Sequence, residues 1–303
     1  MAGFAVTLYA VGIMVGVFVV WLVVQRRRPA GLPAHIAPVI AAARRRAVVS
    51  VAFALVVFLA VAIAGVSSPA LLGWPLVVAP LVAAAAGMLL YAATPPRDVE
   101  VPTAQTRTAS LSRRSWRTST PKTWLHAGVE ISVFFVAVVV FCGITAGADE
   151  RGRSRLIRFE AAMASSMSSP YPGWFYGVPA LVGLATLIIA TIVALQRIGA
   201  TAAFPDPDDA DADRRWRAQS ASVVLKLACG AALFSLGGMA MIAGNAMGSA
   251  VLDETPDVWS VIAAVLLCAG FLFLILSIVS VTLAALTAFT VGQRIGRVPE
   301  EVR

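Results

Sequence analysis

Residues 47–93 read AVVSVAFALVVFLAVAIAGVSSPALLGWPLVVAPLVAAAAGMLLYAA and contain no charged side chain. Ala47–Val66 and Leu71–Ala93 are apolar runs of about 20 residues, the length a helix needs to cross a hydrocarbon core of roughly 30 Å. The break between them, Ser67-Ser68-Pro69-Ala70, has room only for a tight return. The stretch therefore predicts a helical hairpin through a membrane, the form in which backbone groups satisfy one another without water.

Similar runs lie on either side: Phe4–Val24, Trp124–Ala146, Phe175–Leu195, Ala221–Met247 and Val258–Thr290. The expectation is an all-α polytopic bundle of seven transmembrane helices forming a single transmembrane domain over residues 1–303. The last run exceeds one membrane thickness and should tilt, kink or project. Composition agrees. Of 303 residues, 59% are hydrophobic and 13% charged, where a soluble domain carries roughly 25% charged. That balance excludes a soluble enzyme, a disordered chain and a disulfide scaffold.

Charge placement orients the bundle. Arg26, Arg27 and Arg28 follow the first run directly, which reads as an uncleaved anchor with its N-terminus outside. Seven crossings then put the C-terminus inside, and 20 of the 24 basic residues fall on the inner side. Only Arg151, Arg153, Arg155 and Arg158 fall outside. The seven tryptophans all sit at span ends, as an interfacial belt requires. The net charge of +8 is thus explained by topology, and no nucleic-acid partner is expected. The setting implied is a bacterial cell (inner) membrane.

Between spans, Thr94–Thr123 reads as a basic cytoplasmic loop and Asp206–Asp213 as an acidic patch, a solvated loop or a helix entry. Ala148–Gly173 is the one sizeable extracytoplasmic loop. In it Leu156, Phe159, Met163 and Met167 recur at helical spacing opposite Arg155 and Arg158, which predicts an interfacial helix. A parallel repeat is also legible. Gln25-Arg26 and Gln196-Arg197 each close an apolar run. Each is followed by an arginine cluster with alanine, at Arg44–Ala47 and at Arg214–Ala218. The layout would be three helices, one linker helix and three helices, unless charge placement alone produces the likeness.

Few residues can carry chemistry. Glu130 lies about 9 Å inside the fourth run at 1.5 Å per residue, and Lys226 at similar depth in the sixth. Ions there need partners, so a Glu130–Lys226 pair is expected, with His126 on the Glu130 face one turn earlier. A coupling site, a structural bridge and snorkelling to the interface all remain open. Asn245 lies mid-membrane in a Gly244–Gly248 GxxxG pattern that favours close helix packing, as do Gly12–Gly16 and Gly143–Gly147. Arg113, Arg114 and Arg117 are candidates for contact with a partner or with anionic lipid. Cys142, Cys229 and Cys268 read as small buried hydrophobes. The sequence holds no HExxH, GxSxG or Walker A motif, and no lysine in the last run for a retinal Schiff base. No metal, cofactor, catalytic residue or enzymatic activity is expected.

Two segments carry a resemblance. Thr108-Ala109-Ser110-Leu111-Ser112-Arg113-Arg114 with Pro121, and Ser169-Pro170-Tyr171-Pro172-Gly173-Trp174-Phe175-Tyr176, resemble uncharacterised multi-pass membrane proteins of actinobacteria, often encoded beside ABC-transporter ATPases. The likeness implies a transport-associated subunit, permease-like or accessory, with the loops Gln25–Arg46 and Thr94–Thr123 as docking candidates for a cytoplasmic ABC-type ATPase or another membrane subunit. The helix layout is also similar to SWEET-type sugar transporters, but their Pro-Gln loop signature is missing. The alternative expectation is a membrane sensor or scaffold acting through the outer loop and the basic inner loops.

Overall fold

The computed structural model describes residues 36–95, 120–160, 164–202, 204, 209–252 and 256–292. Six long helices dominate: α1 (Ala37–Ser67), α2 (Trp74–Ala93), α3 (Lys122–Thr145), α4 (Trp174–Ala200), α5 (Ala210–Ala250) and α6 (Asp257–Phe289). All six are long and apolar enough to cross a membrane. They match the second to seventh runs read from the sequence. The first run, Phe4–Val24, lies outside the described residues, as do Gly12 and Gly16, the 96–119 stretch with Arg113, Arg114 and Arg117, and both ends of the chain.

Proline and glycine set several helix starts. Pro38 and Pro75 occupy the first positions of α1 and α2, where a missing N–H costs nothing. Gly73 precedes α2 with φ +80°, a left-handed conformation that glycine adopts without a Cβ clash. The hairpin expected between α1 and α2 is present, with one 3-10 turn at Pro69–Leu71. Pro80 lies inside α2, and beside it Ser235 Oγ of α5 donates to Val77 O at 2.8 Å. A neighbouring hydroxyl thus serves backbone loosened by proline.

The closest packing joins α5 to α6, and glycine makes it. A Cβ at Gly230 would stand 2.6 Å from Val281 Cγ2 and 3.4 Å from Ser277 O. At Gly237 it would stand 2.9 Å from Gly270 O, and at Gly244 2.6 Å from Ala263 O. Glycine steps by seven along α5 while Ser277, Gly270 and Ala263 step by seven back along α6, so one antiparallel seam runs through the pair. A seven-residue repeat keeps a single face of each helix in contact over many turns, and small residues there let the backbones touch. Ser277 Oγ donates to Gly230 O at 2.7 Å and Ser280 Oγ to Lys226 O at 2.8 Å, pinning the seam. Gly87 of α2 fits the same way against Ser50 O and Ala54 of α1. The outer faces of α3 and α6 leave Val133, Ile144, Val261 and Val265 each more than half exposed, an apolar coat suited to lipid.

One end of the bundle departs from expectation. Residues 148–173 hold no interfacial helix among the described residues. They build a three-stranded antiparallel sheet of β1 (Gly147–Ala148), β2 (Ser154–Glu160) and β3 (Ser165–Ser168), in the order β1-β2-β3. The register places Gly147 opposite Leu156, and Ile157 through Glu160 opposite Ser168 through Ser165. The helical spacing was a coincidence of side chains that alternate across a strand. Ile157 is buried and the Phe159 ring meets Trp259 at a tilt, centres 5.4 Å apart, while Leu156 points the other way, over Gly147. The turn decides the outcome: Asp149 Oδ1 accepts the N–H groups of Arg151 and Arg153, both at 2.9 Å, and Gly152 takes φ +73°.

At the opposite, arginine-rich end, α1 and α5 run past their apolar segments. Ile36, Val39 and Ile40 meet Phe204, Ala212, Trp216 and Val291 in a small core of their own. Gly292 closes it at φ +87°, its N–H donating to Gln219 Oε1 at 2.9 Å. The helices expected from Ala47 and Ala221 thus start at Ala37 and Ala210, so the end of the loop read as Gln25–Arg46 is helical, and the acidic patch ends as a helix entry, one of the two forms read for it. Asp213 within it is buried, and so is Trp216, which leaves the interfacial belt.

Candidate functional site

The polar groups at the arginine end of the bundle are the most organised among the described residues. Arg217, only 4% exposed, makes a two-pronged contact with Asp213 one turn earlier, Nε to Oδ2 and Nη2 to Oδ1, both at 3.0 Å. Its Nη1 donates to Ile198 O at 2.8 Å and Gly199 O at 3.2 Å. Its Nη2 donates to Thr201 O at 2.9 Å and Ala202 O at 3.0 Å. The last carbonyls of a helix have no partner within the helix, and those at the end of α4 are served here by one guanidinium. Trp216 Nε1 adds a third bond to Asp213 at 3.0 Å. Charge-assisted bonds of this kind are the strong ones, and a planar five-donor fork suits them as lysine does not.

Arg46 of α1 plays a related part for α2. Its Nη2 donates to Tyr91 O at 2.9 Å, and its guanidinium carbon lies 4.5 Å from the centre of the Tyr91 ring. Among the described residues Arg46 has no ion-pair partner. Arg44, Arg45, Arg214 and Arg215 are exposed around this end, with Arg214 paired to Asp211.

The membrane-depth candidates read from the sequence fall in different settings. Lys226 Nζ donates to Thr287 Oγ1 at 2.8 Å and lies 5.5 Å from the Trp124 ring centre. Glu130 and His126 both stand on the exposed side of α3. That hydroxyl belongs to α6, so the contact lies within the tightly packed α5–α6 pair. Asn245 is likewise exposed; in its GxxxG pattern Gly244 makes the close contact, and Gly248 stands clear at 3.8 Å from Ala263 Cβ. Gly143 and Gly147 do pack closely, against Trp174 and Leu156. Cys142 and Cys229 are buried and Cys268 is exposed. Among the described residues no cluster of histidine, cysteine and carboxylate suits a metal ion.

The sheet end carries a second polar group. Asp149 Oδ2 takes Arg153 Nε and Nη2 and stands beside Arg155 Nε, each at 2.9 Å. Partial desolvation alone would raise the Asp149 carboxyl, but backbone and side-chain bonds from Arg153, the Arg151 N–H and the Arg153 charge outweigh it and hold the group down at about 2. The sheet is tied to the helices by Tyr171, whose N–H donates to Arg155 O at 2.8 Å and whose hydroxyl lies 2.6 Å from Thr145 Oγ1. Burial pushes that phenol up. Tyr176 Oη donates to Leu72 O at 2.9 Å, joining α4 to the α1–α2 turn.

The sequence treated Arg217 as one of a cluster of topological charges. The available signal was Asp213-x3-Arg217, an i, i+4 pair just after the end of the preceding helix. The seven-residue glycine step in α5 was equally visible. Comparison with protein-family models, with curated proteins and with solved structures finds no match.

Proposed function

We propose that this chain is an accessory subunit of a transport assembly in a bacterial cell membrane, with its arginine end in the cytoplasm and its sheet end outside. The observation that carries the reading is the folded arginine end. There α1 and α5 continue past their apolar segments and pack with Phe204 and Val291 into a core of their own. The Arg217 fork welds that core to α4. A rigid, basic platform of this kind offers a cytoplasmic protein such as an ABC-type ATPase a surface that moves with the membrane helices. The accessory role is favoured over a permease role by the α5–α6 seam, which closes at backbone contact, and by the cleft between α1, α2, α5 and α6. That cleft is lined by Val51, Phe58, Ala84, Leu227 and other apolar groups.

The test is purification under mild detergent, comparing the native chain with an Arg44→Glu/Arg45→Glu/Arg215→Glu variant. The expected result is a stoichiometric ATPase that copurifies with the native chain and is lost from the variant. A native chain isolated alone would contradict the proposal.

A second reading, a sensor or scaffold working from outside, is favoured by the Asp149–Arg153–Arg155 cluster, which gives the sheet end a fixed shape. It predicts that a partner is lost on Asp149→Ala and retained in the cytoplasmic charge reversal.

A further inference from the structure

A cleft of about 630 Å³ lies between α1, α2, α5 and α6. Its floor is made of small side chains, Ala54, Ala84 and Ala231, none more than 5% exposed. Leu55 of α1 and Val281 of α6, both half-buried, stand at its rim. Among the described residues no charged group lines it. Protein interiors pack densely, and an unfilled gap forfeits contacts for every atom around it. Within a bilayer an apolar cleft of this kind takes either a lipid tail or another helix.

The chain itself supplies a helix-length run of matching depth. Val51 and Phe58 line the cleft along α1, four and eleven residues past Ala47, where the apolar segment begins. At 1.5 Å per residue that is roughly 6–17 Å into the membrane. Val24 lies at the other end of the same polar loop. Counted inward from it, the same interval falls on Ile13–Val20, which is wholly apolar and carries Gly16.

The described chain also begins at the right edge. Ile36 and Ile40 share a core with Val291, just past the end of α6, and a Cβ at Gly292 would collide with Ile40 Cγ2. Ile40 and Val51 are about three full turns apart, so this contact lies below the cleft on the same face of α1. The chain thus enters the bundle at the α1–α6 edge that the cleft splits. Residues 25–35 join Val24 to Ile36 and can span up to about 40 Å. They need to cover only the roughly 15 Å from Ala37 back to Ala47 and one helix diameter of about 10 Å. Consecutive elements usually lie side by side, and lipid tails released from the cleft add entropy to the packing.

We propose that the cleft between α1 and α6 is the seat of the first apolar run, Phe4–Val24, with Ile13–Val20 against its alanine floor. The chain thereby closes its own lateral opening, and no lipid tail or apolar substrate enters there. This holds whatever protein binds the arginine end.

The test is disulfide crosslinking of the full chain in native membranes, with Cys142, Cys229 and Cys268 replaced by alanine. Each position from Ile13 to Val20 is changed in turn to cysteine and paired with Leu55→Cys or Val281→Cys. The control is Val133→Cys, at similar depth on the exposed face of α3. A bridge forms only where Cβ atoms come within about 4 Å. Copper phenanthroline should give an intramolecular, reductant-sensitive bond to both cleft positions, recurring every three or four residues along the run, and none to Val133→Cys. If Leu55→Cys fails to fold, Val281→Cys decides the matter. No bond to either cleft position leaves the cleft to lipid and overturns the proposal. Bonding to Val133→Cys as readily as to the cleft overturns it too. Bonds formed only between two copies, seen as a dimer on a non-reducing gel, give the cleft to a second copy and equally overturn it.

Discussion

Arg217 and Arg153 each grip an aspartate four residues earlier in the chain, yet the two ends of the bundle use that pair differently. At the arginine end the Asp213–Arg217 pair is buried, and the guanidinium spends its remaining donors on carbonyls of another helix. At the sheet end Asp149 and Arg153 close a turn within one hairpin and remain in reach of water. A buried pair with every donor placed couples helices, whereas a partly solvated pair shapes a local loop. The first is costly to break because a charge would be left stranded in the interior, and the second is not.

The largest effect is therefore expected from Arg217→Leu, which strands the Asp213 carboxylate and frees the end of α4. Thermal or denaturant unfolding in detergent should register a loss of about 3–5 kcal/mol. The double variant Asp213→Leu/Arg217→Leu should recover part of it. A single variant as stable as the native chain would remove the basis of the comparison.

The glycine seam comes next. Gly244→Val adds a Cβ where 2.6 Å separates it from Ala263 O, and Gly237→Val does the same against Gly270 O. Forcing two backbones apart should cost about 1–3 kcal/mol in either variant. Gly238→Val is the control, since nothing stands within 4 Å of a Cβ there, and it should cost well under half as much by the same assay.

The sheet end should respond to acid. The Asp149 carboxyl falls from 3.8 to about 2 on folding, so its contribution belongs to the ionised form. It is complete above roughly pH 4 and is lost as pH falls through about 2. The protection of the Arg151 and Arg153 amides against hydrogen exchange, taken relative to each amide's intrinsic rate at the same pH, should be lost over that window in the native chain. Asp149→Asn should show low protection throughout and no such step. The smallest effect is expected at Arg158–Glu160, a 3.9 Å contact between side chains 51% and 73% exposed. Arg158→Ala should change stability by less than about 1 kcal/mol.

Much of the fold was legible in the sequence because long uncharged runs leave a chain few choices. The six described helices match the runs that were read, with α1 extended backward to Ala37 and α5 to Ala210. The sheet was misread because Leu156 and Phe159 match a helical step while Ile157 and Phe159 match a strand's alternation over the same short stretch. The Asp149 turn, which breaks the tie, is a matter of side-chain-to-backbone bonds that periodicity ignores. The site was hardly legible for a different reason. Burial of Arg217 depends on α4 ending beside it, and a sequence near the membrane surface presents every arginine in the same guise. Glu130 and Lys226 were coupled by depth alone, and depth does not say which way a side chain faces.

The proposal rests on the two ends lying on opposite sides of a membrane, and accessibility of single cysteines tests that directly. In a background with Cys142, Cys229 and Cys268 replaced by alanine, Met167→Cys and Arg215→Cys place one thiol on each exposed end. With a membrane-impermeant maleimide on intact cells, Met167→Cys should label at once and Arg215→Cys only after permeabilisation. Equal labelling of both from outside, or the reverse pattern, would contradict the account.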